Sequence, residues 1–461
     1  MGSVLSCLSL QLCECAACCA CSLLSKAFNA TLRQAARCGH LLIIVLVYVL
    51  AITLGQRYPD EINNYVTTLN QNSEYTNLYN INLSNDCDIN NINECIYRQL
   101  IYRASFALFI LYASLMILVY FSDYINKSLW TLKIIIPVGI FIGFWFIDNS
   151  YVNNFAEFSR VMSFFWLLIQ GFLLFDFAHD SHDIIITASD REELAGGDSR
   201  YWKSIYLLLS VCFLLCAFVG FGYLCSGYSE CPLGKFFVAF TFIAGVFTTF
   251  ISATDAVKGG LLTPCIMFAY SVFICWYALL SNPDSSCNPY ASMNDNPIKN
   301  SSIIIVVIIS FITLTYCVVN GTVILNVFNP EGEGVMNSQF NNKAESSLNT
   351  TNVNNSDINS SSSNSDEGNL ISENNTAAAA ALSESSGTVH ERVFFHFLCM
   401  WVSCYGAMVL TNWGKTNGAP EGTGSDVTGN ESMWFKILSQ WIFIIIYLAA
   451  LYVKYRNNAI E

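Results

Sequence analysis

Charge is the scarcest commodity in this 461-residue chain: only 12% of residues are Asp, Glu, Lys or Arg. A soluble globular protein carries about 25%. Histidine is almost as rare, with five in all, and proline numbers nine. The shortage of charge excludes a soluble enzyme. The 21 basic against 34 acidic residues leave no polybasic surface, so no nucleic-acid partner is expected. Motifs of chemistry are missing too. There is no Gly-x-Ser-x-Gly elbow, no His-Glu-x-x-His and no phosphate loop of the Gly-x-x-x-x-Gly-Lys-[Ser/Thr] type. No Asp-Gly dipeptide occurs, which removes the aspartate-rich motif of phospholipid-headgroup transferases. The expectation is a protein that is not an enzyme and holds no cofactor and no metal.

What is present is apolar. Residues of that kind make up 54% of the chain, and the mean hydropathy is +0.44. Ten runs approach the roughly 20 apolar residues a spanning helix needs. They lie near 40–54, 100–121, 130–147, 158–177, 204–224, 236–251, 261–280, 303–325, 393–411 and 433–453. They are apolar all round, which fits helices and not the alternating strands of a membrane barrel. The predicted fold class is therefore all-α, a polytopic membrane protein of about ten helices. Pro137 and Pro264 fall in or near two of these runs and are expected to kink them.

The organisation reads as a cytosolic Cys-rich segment (1–38), eight helices (39–327), a disordered cytosolic loop (328–391), two helices (392–455) and a short tail (456–461). Between residues 337 and 376, 22 of 40 are Asn or Ser, too polar to bury a core. The stretch Val4–Leu24 is apolar enough to insert, though Gln11 and Glu14 interrupt it. Its cysteines, Cys7 to Cys21, read as close-packing small residues, half a zinc site or acylation sites, and Gly2 fits a myristoylation pattern. The larger share of Lys and Arg falls on one side if both termini are cytosolic. That orientation puts Cys87 and Cys95 in the first exoplasmic loop, where they are expected to pair. Cys231 is expected to pair with Cys287, with Cys225 competing for it. The sequons at Asn82, Asn300 and Asn430 face the same side, as candidate glycosylation sites.

Polar residues inside spans are functional suspects. Arg103 and Arg160 lie toward the exoplasmic ends of the second and fourth spans, with Glu157 and Asp148 as the expected counter-charges. Snorkelling to the interface is the alternative for both. The fourth span carries Gln170 at mid-helix, then Asp176, His179, Asp180 and Asp183 at helical spacing. This stripe suits a cation or an amine headgroup, with His179 and His182 a weaker metal pair. Asp176 is the expected anionic partner of an amine, oriented by His179. A helix end leaving the bilayer would need polar residues as well.

Eight motifs occur in order: Tyr102-Arg103-Ala104-Ser105-Phe106, Ile169-Gln170, Asp176-Phe177-Ala178-His179, Gly260-Leu261-Leu262, Cys287-Asn288-Pro289, Phe395-His396-Phe397, Leu410-Thr411-Asn412-Trp413 and Ser439-Gln440-Trp441. Together they resemble the serine incorporator (TMS membrane protein) family over nearly the whole chain. The resemblance implies ten helices, with a long tilted fourth helix between two subdomains. It implies help in bringing L-serine into phosphatidylserine and sphingolipids, or movement of phospholipids between leaflets. Membrane lipids, lipid-synthesis enzymes and further copies of the chain are the implied partners. The endoplasmic reticulum is the expected membrane, with the plasma membrane as the alternative. Two departures stand out. Asp180-Ser181-His182-Asp183 replaces a segment where the family often has Trp-Asn, and Ser439-Gln440-Trp441 replaces Ser-Ser-Trp. An ion-coupled transporter is a third, lower reading, since no internal repeat is evident.

Overall fold

The computed structural model describes residues 32–72, 81–83, 87, 91–122, 124–125, 129–228, 230–254, 260–290, 297–320, 389–417 and 427–458. The N-terminal cysteines, Gly2 and nearly all of the Asn/Ser-rich loop lie outside the described residues. The described chain is helical: α1 Leu32–Arg57, α2 Pro59–Asn72, α3 Ile92–Phe121, α4 Trp130–Gly143, α5 Asn149–Leu194, α6 Arg200–Gly227, α7 Pro232–Ala253, α8 Leu262–Leu279, α9 Pro297–Asn320, α10 Val389–Leu410 and α11 Val427–Asn458. A short 3₁₀ turn, Phe144–Phe146, extends α4. Among the described residues eight helices are long and apolar enough to cross a membrane, and the stretches 130–146 and 303–316 are shorter apolar helices. Every run expected to span is thus helical over its described residues.

α2 was not foreseen. Its start was legible, with Pro59 at the first helical position followed by Asp60 and Glu61. It packs through Ile62 and Val66. The kink expected at Pro264 is not required, because Pro264 sits in the first turn of α8, where its missing N–H has no helical acceptor. Pro137 does lie inside α4.

The 46 residues of α5 span about 69 Å at 1.5 Å each, more than twice the ~30 Å hydrocarbon core. It begins where the Asp148 carboxylate accepts the Ser150 N–H at 2.8 Å. It ends at Leu194 and is closed by Gly196, whose φ of 75° lets the Gly197 and Gly196 N–H groups return to the Glu192 and Glu193 carbonyls.

Two apolar cores form. The larger draws on α1 to α5, α8, α9, α10 and α11, the smaller on α6, α7, α8 and α11. α8 and α11 therefore present a face to each, and α5 packs on α6, α8, α9, α10 and α11. Burial grades the helices. The apolar window of α8 is 83% buried, whereas that of α6 is 11% buried. Leu208, Val219, Ile243 and Phe250 project outward from α6 and α7, an exposed apolar surface of the kind that faces lipid in a membrane protein.

The two disulfides among the described residues lie at one end of the bundle. Cys87 bonds Cys95 at the start of α3, and Cys231 bonds Cys287 between the start of α7 and the chain beyond α8. Cys225 keeps a free thiol. The start of α1 is at the other end, where Arg37 meets Glu391 of α10 at 3.6 Å.

Candidate functional site

The long helix makes the candidate site by running past its neighbours with polar groups turned inward. Gln170 is buried and donates from Nε2 to Ser310 Oγ of α9 at 3.1 Å. Two turns on, the Phe177 ring meets Tyr316 of α9 edge to face at 5.6 Å. The Tyr316 hydroxyl donates to Asp180 Oδ2 at 2.7 Å. An amide and a carboxylate about 15 Å apart along α5 are thus each satisfied by α9. Burying either alone is costly, so the pairs fix how α9 sits.

On its other side α5 is tightly packed. A Cβ on Gly171 would come within 2.7 Å of the Phe443 ring of α11, and Phe175 stacks edgewise on Tyr447 at 5.6 Å. Farther along, the His182 ring lies 5.4 Å from Tyr206 of α6. The Tyr206 oxygen accepts the Leu261 and Leu262 N–H groups at 2.7 and 3.1 Å, capping α8. Gly260, at φ 75°, leaves room for His182, which a Cβ would approach to 2.6 Å. The Gly260-Leu261-Leu262 motif is thereby a helix start clamped between α5 and α6.

Asp176 and His179 do not form the expected pair. His179 Nδ1 lies 3.2 Å from Asp183 Oδ2, because helical side chains lean toward the N-terminus and Asp183 reaches back one turn. Asp176 is half-buried. Among the described residues no three His, Cys, Asp and Glu side chains gather as a metal would need.

The two arginines belong to the disulfide end, away from Gln170, Asp176 and His179. Neither snorkels. Arg103 is fully buried and donates to Phe144 O at 2.8 Å, Asn149 Oδ1 at 2.7 Å and Gln99 Oε1, with longer contacts to the Asn82 and Ile147 carbonyls. Of its expected counter-charges, Asp148 caps α5 and Glu157 serves Arg160. Arg160 Nη1 lies 2.5 Å from Glu157 and 3.3 Å from Glu431, the latter not anticipated. Asn82 gives its N–H to Trp145 O, and the flanking Ile81 and Leu83 are buried, so this sequon sits in a packed segment. Asn300 and Asn430 lie near the starts of α9 and α11.

Lys436 also escaped the sequence reading. It is fully buried on α11, donates to Ser281 Oγ at 2.5 Å, and lies 3.5 Å from the Tyr277 ring and 5.0 Å from the Trp413 ring. Tyr316, Tyr206 and Ser310 were missed for one reason: a hydroxyl in an apolar run shows no spacing that marks its partner.

The family model described as "Serine incorporator (Serinc)" matches residues 10–453, both polar regions included. The chain belongs to the serine incorporator family. It is 28% identical over 342 residues to a "Probable serine incorporator" of Nematostella vectensis, covering 70% of each chain. It is 24% identical to "Serine incorporator 3" of Bos taurus, covering 79% of each. With "Serine incorporator 3" of Mus musculus it shares 22% identity over 97% of each chain.

Proposed function

We propose that this chain is a non-enzymatic, multi-pass membrane protein that helps serine enter phosphatidylserine and sphingolipids. Membership of a family whose relatives are named serine incorporators carries the reading. The polar groups of α5 give a small zwitterion somewhere to dwell inside an otherwise apolar bundle. The disulfide face is exoplasmic in this reading, both termini are cytosolic, and the membrane is the endoplasmic reticulum. The chain supplies a path or platform, and its lipid-synthesis partners carry out the bond-making. Cells lacking the protein, given labelled L-serine, should make less labelled phosphatidylserine and sphingolipid, and the native chain should restore both. Equal labelling with and without the chain would defeat the proposal.

Movement of phospholipids between leaflets is the second reading. It is favoured by the row from Gln170 to Asp180, which faces α9, a helix whose Ile304, Ile308 and Phe311 are exposed on its far side. Parting of α9 from α5 would open a polar track beside lipid. In proteoliposomes this reading expects headgroup-labelled lipid to cross, and Gln170→Leu and Asp176→Asn to slow the crossing. Serine uptake without lipid crossing would leave the first reading alone.

A further inference from the structure

The disulfide face holds a cleft of about 140 Å³ that the α5–α9 row does not reach. A water occupies about 30 Å³ of the liquid, and drug-sized sites begin near 300 Å³, so the cleft suits a molecule of metabolite size. One wall is the first three turns of α5, with Asn153, Glu157 and Arg160. The other is the turn after α10, with Lys415 and Thr416.

That second wall is held rigidly. Asn412 and Trp413 adopt φ of 50° and 62°, reversing the chain. Tyr102 donates to Gly414 O at 2.6 Å, Arg98 to Lys415 O at 3.2 Å, and Trp413 Nε1 to Tyr277 OH at 3.0 Å. Thr416 hydrogen-bonds Asn153 across the cleft. A wall fixed at this many points loses little entropy when a ligand settles on it.

The charges are balanced. Arg160 and Lys415 bring two positive charges, and Glu157 and Glu431 bring two negative. An anion alone would face the carboxylates, and an amine alone would face the cations. The Arg160 side chain is only 3% exposed, yet its Nε and Nη2 have no hydrogen-bond partner among the described residues. Its engaged nitrogen, Nη1, is shared by two carboxylates, of which Glu157 is 64% exposed and held by solvent as much as by the protein. A guanidinium nitrogen shared between two carboxylates, one of which can turn away into solvent, is built for exchange.

We propose that this cleft binds the α-ammonium carboxylate group, as free serine or as the headgroup of phosphatidylserine. The choice of serine rests on the function proposed above; the cleft itself asks only for that pair of charges. The carboxylate takes the place of Glu157 at Arg160 and is drawn by Lys415, while Glu157 turns to the ammonium. Asn153 and Thr416 are at hand for a hydroxyl or a phosphate ester.

The test uses the full chain in phosphatidylcholine nanodiscs. Equilibrium dialysis with labelled L-serine measures the free ligand. Protection of Lys415 from an amine-reactive reagent, read by mass spectrometry, measures occupancy by free serine or by added phosphatidylserine. Serine should bind saturably, and Glu157→Gln and Lys415→Gln should each weaken it about tenfold or more, as loss of a charge-assisted hydrogen bond implies. Lactate, lacking the ammonium, should bind more weakly than serine, and Glu157→Gln, which removes the carboxylate it must displace from Arg160, should leave its binding equal or tighter. Protection by phosphatidylserine alone would name the headgroup as the occupant. Should a variant unfold, protection of Lys415 in the native chain decides the matter. The proposal falls if neither serine nor phosphatidylserine protects Lys415, or if both variants bind serine as the native chain does. In cells the two ideas separate. Variants that fully support chain-dependent serine labelling leave the function standing and remove the cleft. Binding lost in the variants, where labelling never depended on the chain, does the reverse.

Discussion

Replacing Arg103 with methionine tests whether this arginine serves the fold or a ligand. The methionine keeps nearly the length and apolar stem of the arginine, so little cavity forms. What is lost is donation to Phe144 O, Asn149 Oδ1 and Gln99 Oε1 in a site without water access. Phe144 O keeps the Ile147 N–H at 3.3 Å, but the Asn149 and Gln99 amide oxygens are orphaned; at about 1–3 kcal/mol for each buried acceptor the loss would be roughly 2–6 kcal/mol. Removing a buried charge gives some of this back, and the Gln99 and Asn149 amides can rotate to other partners. The expected destabilisation is therefore about 2–4 kcal/mol, large for one substitution. Arg103→Lys keeps a charge but not the fork and should lie between the two. Unfolding in mixed micelles measures the loss. Hydrogen exchange at Asn82, whose N–H is bonded to Trp145 O and whose carbonyl faces Arg103, locates it. Arg103→Met with native stability to within about 1 kcal/mol and unchanged exchange at Asn82 would refute the reasoning. Lost serine labelling in such a stable variant would return Arg103 to the ligand-binding candidates.

A Cβ on Gly245 would meet the Phe268 ring at 2.0 Å, so Gly245→Ala should lower stability by about 1–3 kcal/mol. Gly222 has nothing within 4 Å, and Gly222→Ala should be neutral or raise stability by up to about 1 kcal/mol; thermal unfolding compares the two. Removing a disulfide by Cys→Ser at both partners should cost about 2–4 kcal/mol, more for Cys231–Cys287, which closes 56 residues, than for Cys87–Cys95, which closes 8. Non-reducing peptide mapping followed by melting curves checks the order. The Ser150 N–H and hydroxyl hold the Asp148 carboxyl below its usual value of 3.8. Its contribution to the start of α5 is therefore present above pH 3.8 and lost as pH falls through the lower folded value, an effect that Asp148→Asn should abolish in acid titrations of helix content.

The length of each apolar run determined that the chain would be a bundle of membrane helices, because lipid offers the backbone no other partner. Order along the chain then placed Cys87, Cys95, Cys231 and Cys287 on one face. Composition did not reveal α2, since a short polar helix leaves little hydropathy trace, although Pro59-Asp60-Glu61 marked its start. Hydropathy also saw only the middle of α5; its ends are polar, and α-helical hydrogen bonding carries the helix on to Leu194. Gln170, Asp176, His179, Arg103 and Arg160 stood out because charge and amides are rare here. Which of them meet was decided by packing between segments far apart in sequence. Arg160 found Glu431 across 271 residues, Gln170 found Ser310 across 140, and Asp180 found Tyr316 across 136. Local spacing governs only neighbours one turn away, as for His179 and Asp183. Across the bundle, a buried polar group is completed by whatever donor or acceptor the helix packing brings within about 3 Å.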